Sequence, residues 1–239
     1  MPDHSPQLSD PDLGIDRQSP LHGYRGDRDR ANQPFAPTGL TVALSREAGS
    51  RGTSIATRAA EKLGWQIYTQ EMLEYIAQEA TVQEEITAAL SPPALEWVEQ
   101  QLTRLQNSPR NGVHPSVLDM ARVVLSLGAT GDMFLIGRGA GYILPRPSTL
   151  HVRVVAPLDD RIAYMSQWLR LTREEAAEQV KLRDRRRIDY LRSHYHRDAT
   201  DIYLYDLLLN STLLGEELSA DLLVQAAKTK AATLRAEVS

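Results

Sequence analysis

The chain has 239 residues, 42% hydrophobic and 24% charged, enough for one α/β domain with appendages around a substantial core. Its net charge of −4 predicts no general affinity for nucleic acid, although a local basic patch is compatible with it. Cysteine is absent, which excludes disulfides, thiolate metal sites and a cysteine nucleophile.

Residues 1–38 are rich in Pro, Asp, Arg and Gly and poor in large apolar side chains. Such a segment cannot offset its ordering entropy, so a disordered tail is predicted. Its run from Arg25 to Arg30 alternates in charge, which reads as a solvated tail before an anion-binding arm. The tail has no apolar stretch of the secretory kind, and no segment approaches the roughly 20 apolar residues of a membrane helix. A cytoplasmic protein without membrane contact is expected.

Order is predicted to begin at Leu40. Leu40 to Leu44 is a short apolar run with β-branched members, suited to a buried strand. A Ser/Gly-rich loop, Ser45 to Gly52, leads into a helix from Thr53 to Leu63, with apolar positions at Ile55, Ala56, Ala59 and Ala60 and a stop at Gly64. Trp65 to Tyr68 reads as a second strand and Glu71 to Ala80 as a helix. From 81 to 130 the pattern is helical, with a stripe of Leu95, Val98, Leu102 and Leu105 after Pro92-Pro93 and a loop over Asn107 to Gly112. This stretch interrupts the β/α alternation, so a helical insertion over about 70–130 is predicted. Its stripe is read as core, or as a homodimer contact if exposed.

Alternation resumes with strands at Met133 to Ile136 and Leu150 to Val155, then a helix from Asp159 to Arg170. Thr172 to Glu175 is a capping box that opens a basic helix reaching about Tyr190. Tyr203 to Leu209 is read as the last strand, with Tyr203 and Tyr205 packing as strand residues, and Glu216 to Leu234 as the last helix. Strands alternating with helices imply a parallel sheet flanked by helices, with ligands beyond the carboxyl ends of the strands.

The loop Ser45 to Thr53 carries the strongest chemical signal. Against a Walker A pattern, Ser45 and Ser50 take the glycine positions and Arg51 the lysine position, with Gly52 and Thr53 completing it. Amides from Gly49 to Thr53 at a helix start converge on an anion, Arg51 adds a planar positive fork, and Thr53 or Ser54 offers a hydroxyl to phosphate or Mg²⁺. Arg138 directly follows a predicted strand, which places it at the carboxyl edge beside this loop. Lys181, Arg183, Arg185, Arg186 and Arg187 crowd one helix, with Asp184 among them, and so favour an anionic partner. Arg183 and Arg187 are four apart and share a face. His194 and His196 are two apart and face opposite ways, so no metal site is expected.

These segments together resemble the cytidylate kinase-like family, related to the P-loop nucleoside monophosphate kinases. The likeness runs through Ser45 to Ile55, Leu63 to Leu73, Phe134 to Pro145, His151 to Ile162, Asp184 to Tyr190 and Tyr205 to Ser211. The resemblance implies a three-layer P-loop fold over 39–239, with a monophosphate-binding insertion and a helical lid at about 171–200. It also implies transfer of the γ-phosphoryl group of ATP, with Mg²⁺, to a nucleoside monophosphate such as CMP or dCMP.

On this reading Ser45, Gly49, Ser50, Arg51, Gly52, Thr53 and Ser54 hold ATP phosphates, while Arg138, Thr69 and Gln70 meet the acceptor. Arg51, Arg183 and Arg187 act on the transferring group, and Asp184, Arg185 and Arg186 belong to the lid. The sequence departs from the family pattern at Arg51, at Thr69, at Gly139 and Gly141, and at Ala199, where lysine, acidic residues and tryptophan are usual. Those departures leave two alternatives, a nucleotide-binding regulatory module or a kinase for another small acceptor.

Overall fold

The computed structural model describes residues 37, 39–107 and 115–238. The chain divides into residues 1–33 and 34–239, and every described residue lies in the second unit. The predicted tail with its Arg25 to Arg30 run, and most of the loop from Asn107 to Gly112, lie outside the described residues.

Five strands form one parallel sheet in the order β2-β3-β1-β4-β5. They are β1 (Thr41–Arg46), β2 (Gln66–Tyr68), β3 (Met133–Ile136), β4 (Thr149–Val155) and β5 (Leu207–Asn210). The central strands are continuous apolar runs because both faces are covered. Val42, Leu44, Phe134, Ile136, Leu150, Val152 and Val154 point to one side and meet helices α1 (Gly52–Leu63) and α9 (Ser211–Val238). Ala43, Met133 and Leu135 alternate to the other side. There they meet α2 (Gln70–Gln78), α4 (Pro92–Gln106), α5 (Pro115–Thr130) and the single turn α6 (Ala140–Ile143), with the short α3 (Ala80–Ala88) at the margin.

The stripe on α4 lies inside this chain: Trp97, Val98 and Leu102 are buried with Val117, Met120 and Val124 of α5. The helices between β2 and β3 therefore share one core with the sheet. Fully burying each large side chain contributes on the order of 1.5–3 kcal/mol, and this tie anchors the elements that border the site.

A third, smaller core joins α7 (Leu158–Leu169) to α8 (Arg173–Tyr195) through Ile162, Met165, Ala176 and Val180. Ala48 of the loop belongs to the same cluster, so the α7–α8 pair is packed onto the loop itself. The capping box is present in full: the Thr172 hydroxyl accepts from the Glu175 N–H, and the Glu175 carboxylate accepts from the Thr172 N–H.

Two expectations are corrected. The basic helix does not stop near Tyr190 but runs to Tyr195. The last strand does not begin at Tyr203, because the Asp201 carboxylate accepts from the Tyr203 N–H and closes a 3₁₀ turn over Ile202–Leu204. Tyr203 is 86% exposed, whereas Tyr205 is buried outside the strand. Among the described residues no helix is long and apolar enough to cross a membrane.

Candidate active site at the carboxyl edge of the sheet

The loop after β1 starts two residues later than the sequence suggested, at Glu47 instead of Ser45. Ser45 and Arg46 still pair with β4, opposite Arg153 and Val154. Gly137 continues the β1–β3 ladder by donating to the Leu44 carbonyl at 3.0 Å. Since Leu44 pairs with Ile136, Arg46 and Arg138 each lie two residues beyond a matched position, on adjacent strands.

Two cavities open here. The first, about 760 Å³, is bordered by Gly49, Arg51, Gly52, Thr53 and Ser54 of the loop and by Arg46, Glu71, Arg183 and Arg187. Its far wall carries Tyr164 and Trp168, whose rings stack at 6.5 Å and 13°. The second, about 460 Å³, is bordered by Ser45, Gln70, Glu74, Arg138, Tyr142, Arg186 and Arg187. Arg187 alone among the basic residues borders both.

The loop hangs on a buried ion network. Asp184 of α8 accepts from the Ala48 N–H at 2.7 Å and from Arg161 Nη1 at 2.5 Å. Arg161 also donates to the carbonyls of Ala156 and Ala48, and Glu47 accepts from the Ala156 N–H beside Arg153 and Arg161. A half-buried carboxylate so occupied tethers α8 to the loop. Glu47, Arg153 and Arg161 were invisible to the sequence reading because their roles depend on three segments meeting.

The predicted loop residues divide into groups. The N–H groups of Gly52, Thr53 and Ser54 begin α1 and have no intrahelical acceptor, and all three residues border the first cavity, an arrangement suited to an anion. Ser50 is fully buried and its hydroxyl donates to the carbonyls of Glu47 and Val154, while its N–H donates to the Glu47 carbonyl. It braces the loop from within. Ser45 borders the second cavity, and the Ser54 hydroxyl donates to Glu216 of α9.

Arg51 has φ 59, and its guanidinium lies 5.1 Å from the Tyr164 ring centroid and 3.9 Å from Glu216. Arg183 and Arg187 both border the first cavity as their spacing predicted, Arg186 borders the second, and Arg185 is exposed on the outer face of α8. Thr69 caps α2 by accepting from the Met72 N–H, while Gln70 faces the second cavity and donates to Glu74.

Arg138 is held on every side but one. Its side chain pairs with Glu74, its guanidinium stacks 4.5 Å from the Tyr190 centroid, and its carbonyl accepts from the Tyr195 hydroxyl. Its buried Nε has no hydrogen-bond partner among the described residues. The neighbouring glycines are required by packing: a β-carbon on Gly139, at φ 74, would lie 2.4 Å from the Tyr195 ring, and one on Gly141 would strike His151 at 2.2 Å. The acidic side chain usual near Arg138 in the resemblance has no room at these positions.

Sequence reasoning missed Arg46. It is half-buried, and its pKa falls to about 10, first through burial and then through the charge of Arg187, with Arg138 adding to it and Glu71 opposing. Burial likewise lowers Arg187. Burial would raise Glu71, yet hydrogen bonds from its own N–H and Thr69, with the Arg46 and Arg138 charges, hold its carboxyl below the usual range. The rule that singled out Arg138, a basic residue at the end of an apolar run, applies equally to Arg46. The Walker A pattern hid it as a wildcard position.

Among the described residues no three His, Cys, Asp or Glu side chains gather as a metal cluster. The donors are guanidinium groups and backbone N–H groups, which fit phosphate oxygens.

The solved structure of an uncharacterized protein from Eubacterium ventriosum superposes with TM-score 0.63 at 16% identity, covering 80% of this chain and 98% of that one. That likeness is one of fold. A shikimate kinase from Acinetobacter baumannii, in complex with shikimate, superposes with TM-score 0.41 at 13% identity over 80% and 94% of the two chains. A uronate isomerase of Corynebacterium glutamicum is 31% identical over 104 residues, which are 44% of this chain and span only 20% of that protein. Residues 41–213, which take in the loop, both cavities and the arginines around them, match the Cytidylate kinase-like family, and the chain belongs to that family.

Proposed function

We propose that the protein transfers the terminal phosphoryl group of ATP to a nucleoside monophosphate, with CMP or dCMP as acceptor. The observation that carries this reading is Arg187, which borders a cavity with a phosphate loop on one side and a cavity with Arg138 on the other. Phosphoryl transfer asks a protein for alignment and positive charge and for little covalent chemistry, and that is what stands here.

ATP phosphates would lie against the N–H groups of Gly52, Thr53 and Ser54, with the base toward Tyr164 and Trp168. Arg138 would hold the acceptor phosphate. An oxygen of that phosphate forms the new bond to the γ-phosphorus as the bond to the β-phosphate oxygen breaks, and ADP departs with the electron pair. No proton need move. Arg183 and Arg187 neutralise charge on the oxygens in transit. Mg²⁺ would arrive on the donor phosphates and draw off their charge, with the ionised Glu71 as the carboxylate facing its hydration shell.

The test is ADP formation from ATP and Mg²⁺ with CMP, dCMP, UMP or AMP in turn. Turnover should be greatest with CMP or dCMP, and Arg138→Ala should raise the acceptor KM and cut kcat/KM about 100-fold. Absence of diphosphate product with all four acceptors rejects the reading. One observation favours a second reading, nucleotide binding without transfer: Arg51, in the lysine position, is engaged by Tyr164 and Glu216. ATP binding in calorimetry with no turnover would select it.

A further inference from the structure

We propose that Arg46, rather than the arginine in the lysine position of the loop, supplies the charge that grips the transferring phosphoryl group. This inference rests on the transfer reading above and assigns a residue that the loop pattern leaves blank. Arg46 ends β1 at the carboxyl edge and borders the donor cavity. Its guanidinium reaches toward the acceptor side as well: a β-carbon on Gly137, which lines the second cavity, would lie 3.2 Å from Arg46 Nη1. It thus stands with Arg187 where the two cavities approach each other, the place a phosphoryl group in transit must occupy.

The charge balance at this point asks for an anion. The Arg46 charge is opposed by Arg187 and Arg138; Arg138 pairs with Glu74, Arg187 lies 3.5 Å from Asp184, and Glu71 acts on Arg46 and Arg187 from farther off. Among the described residues no carboxylate comes within 4.0 Å of the Arg46 guanidinium, and Arg138 Nε is buried without a partner. Burial and mutual repulsion penalise the Arg46 charge in the free protein, a cost that an oxyanion with two or three negative charges would offset. Arg51 differs in each respect: it is more open, it covers Tyr164, and it has Glu216 beside it. A fork in a left-handed residue at the mouth of α1 is placed to hold the outer phosphates or the base end, whereas a fork on the strand end faces the reaction.

The chemistry recognised is a terminal phosphate of a polyphosphate chain, so inorganic tripolyphosphate is the probe. Its affinity would be measured by calorimetry for the full chain and for Arg46→Gln, Arg46→Lys and Arg51→Gln, beside ATP turnover and ligand-free melting. Arg46→Gln should weaken tripolyphosphate binding about 10-fold and turnover about 100-fold, more than Arg51→Gln does in both. Its ligand-free Tm should be unchanged or higher, because a repelled charge has been removed. Arg46→Lys should fall between, keeping charge without the fork.

The proposal is overturned if Arg51→Gln loses more than Arg46→Gln, or if Arg46→Gln lowers Tm while binding persists, which would make Arg46 a structural partner of Glu71. If Arg46→Gln does not fold, Arg46→Lys is compared with Arg51→Gln on the same terms. Tripolyphosphate binding that depends on Arg46, with no turnover on any nucleotide, would sink the transfer reading and sustain Arg46 only as the residue that grips a terminal phosphate. Turnover that survives Arg46→Gln would do the reverse. A parent protein that does not bind tripolyphosphate overturns this proposal, and the transfer reading is then decided by ADP formation alone.

Discussion

His151 sits on β4 with its ring almost wholly buried between Tyr142 and Tyr205, and Nδ1 lies 2.8 Å from the Leu204 carbonyl. Burial pulls its pKa from 6.5 down to about 4, the Leu204 hydrogen bond and Asp206 opposing, Arg146 and Lys230 assisting. A folded pKa below the unfolded one means that the unfolded chain binds the proton first as pH falls. Stability is therefore lost between about pH 6.5 and pH 4, by about 3 kcal/mol at most. Urea midpoints at pH 7.5, 5.5 and 4.5 should fall more steeply for the parent than for His151→Gln; parallel curves would refute the assignment.

Asp184 offers a second prediction at this scale. Asp184→Asn keeps an acceptor for the Ala48 N–H but removes the charge facing Arg161, and should cost about 1.5–3 kcal/mol in urea. If Asp184 were only a solvated lid residue, the loss would be negligible.

Among elements, α8 matters most, because one helix carries Arg183, Asp184, Arg186 and Arg187 and also touches the loop. Its charges repel along the first turns of the basic run, so its start depends on the capping box. Thr172→Ala removes that box and should lower stability by about 1 kcal/mol, read as a lower Tm. Tripolyphosphate affinity should stay within about two-fold of the parent, since Thr172 borders neither cavity and capping effects act through stability.

The same elements show what patterns can and cannot reveal. Met133–Ile136 was legible to the residue, because a four-residue apolar run flanked by Gly131 and Gly137 is too short for a helix and suits a strand buried on both faces. The run from Tyr203 was misread, because a single side-chain acceptor, Asp201, outweighs the β propensity of two tyrosines.

At the scale of the whole molecule, the two cavities lie where strands far apart in sequence end together, and they share Arg187 of α8. Trp168 is 62% exposed on the wall of the first cavity, whereas Trp97 is buried in the core. ATP should therefore change tryptophan emission, and Trp168→Phe should abolish most of that change while leaving the fold intact by circular dichroism. An unchanged signal in Trp168→Phe would place the base elsewhere. On the transfer reading, Arg46, Arg51, Arg183 and Arg187 on the wall of the first cavity also predict salt sensitivity, with ATP affinity falling several-fold between about 50 and 200 mM NaCl, roughly as surface-accessible ion pairs do. Affinity indifferent to salt would argue against a phosphate grip.

The sequence by itself determined the alternation of strands and helices, the strand–loop–helix unit at Ser45 to Thr53, and the place of Arg138, because periodicity, caps and strand ends are local properties. Only the tertiary structure decided where each side chain in and beside the loop turns. Ser50 turns inward to two carbonyls, Arg51 turns to Tyr164 and Glu216, and Arg46 turns to Arg138 and Arg187. Apart from the Ser50 bond to Glu47, those orientations follow from distant partners, from Arg138 for Arg46 to Glu216 for Arg51, whose charges and packing no local pattern contains.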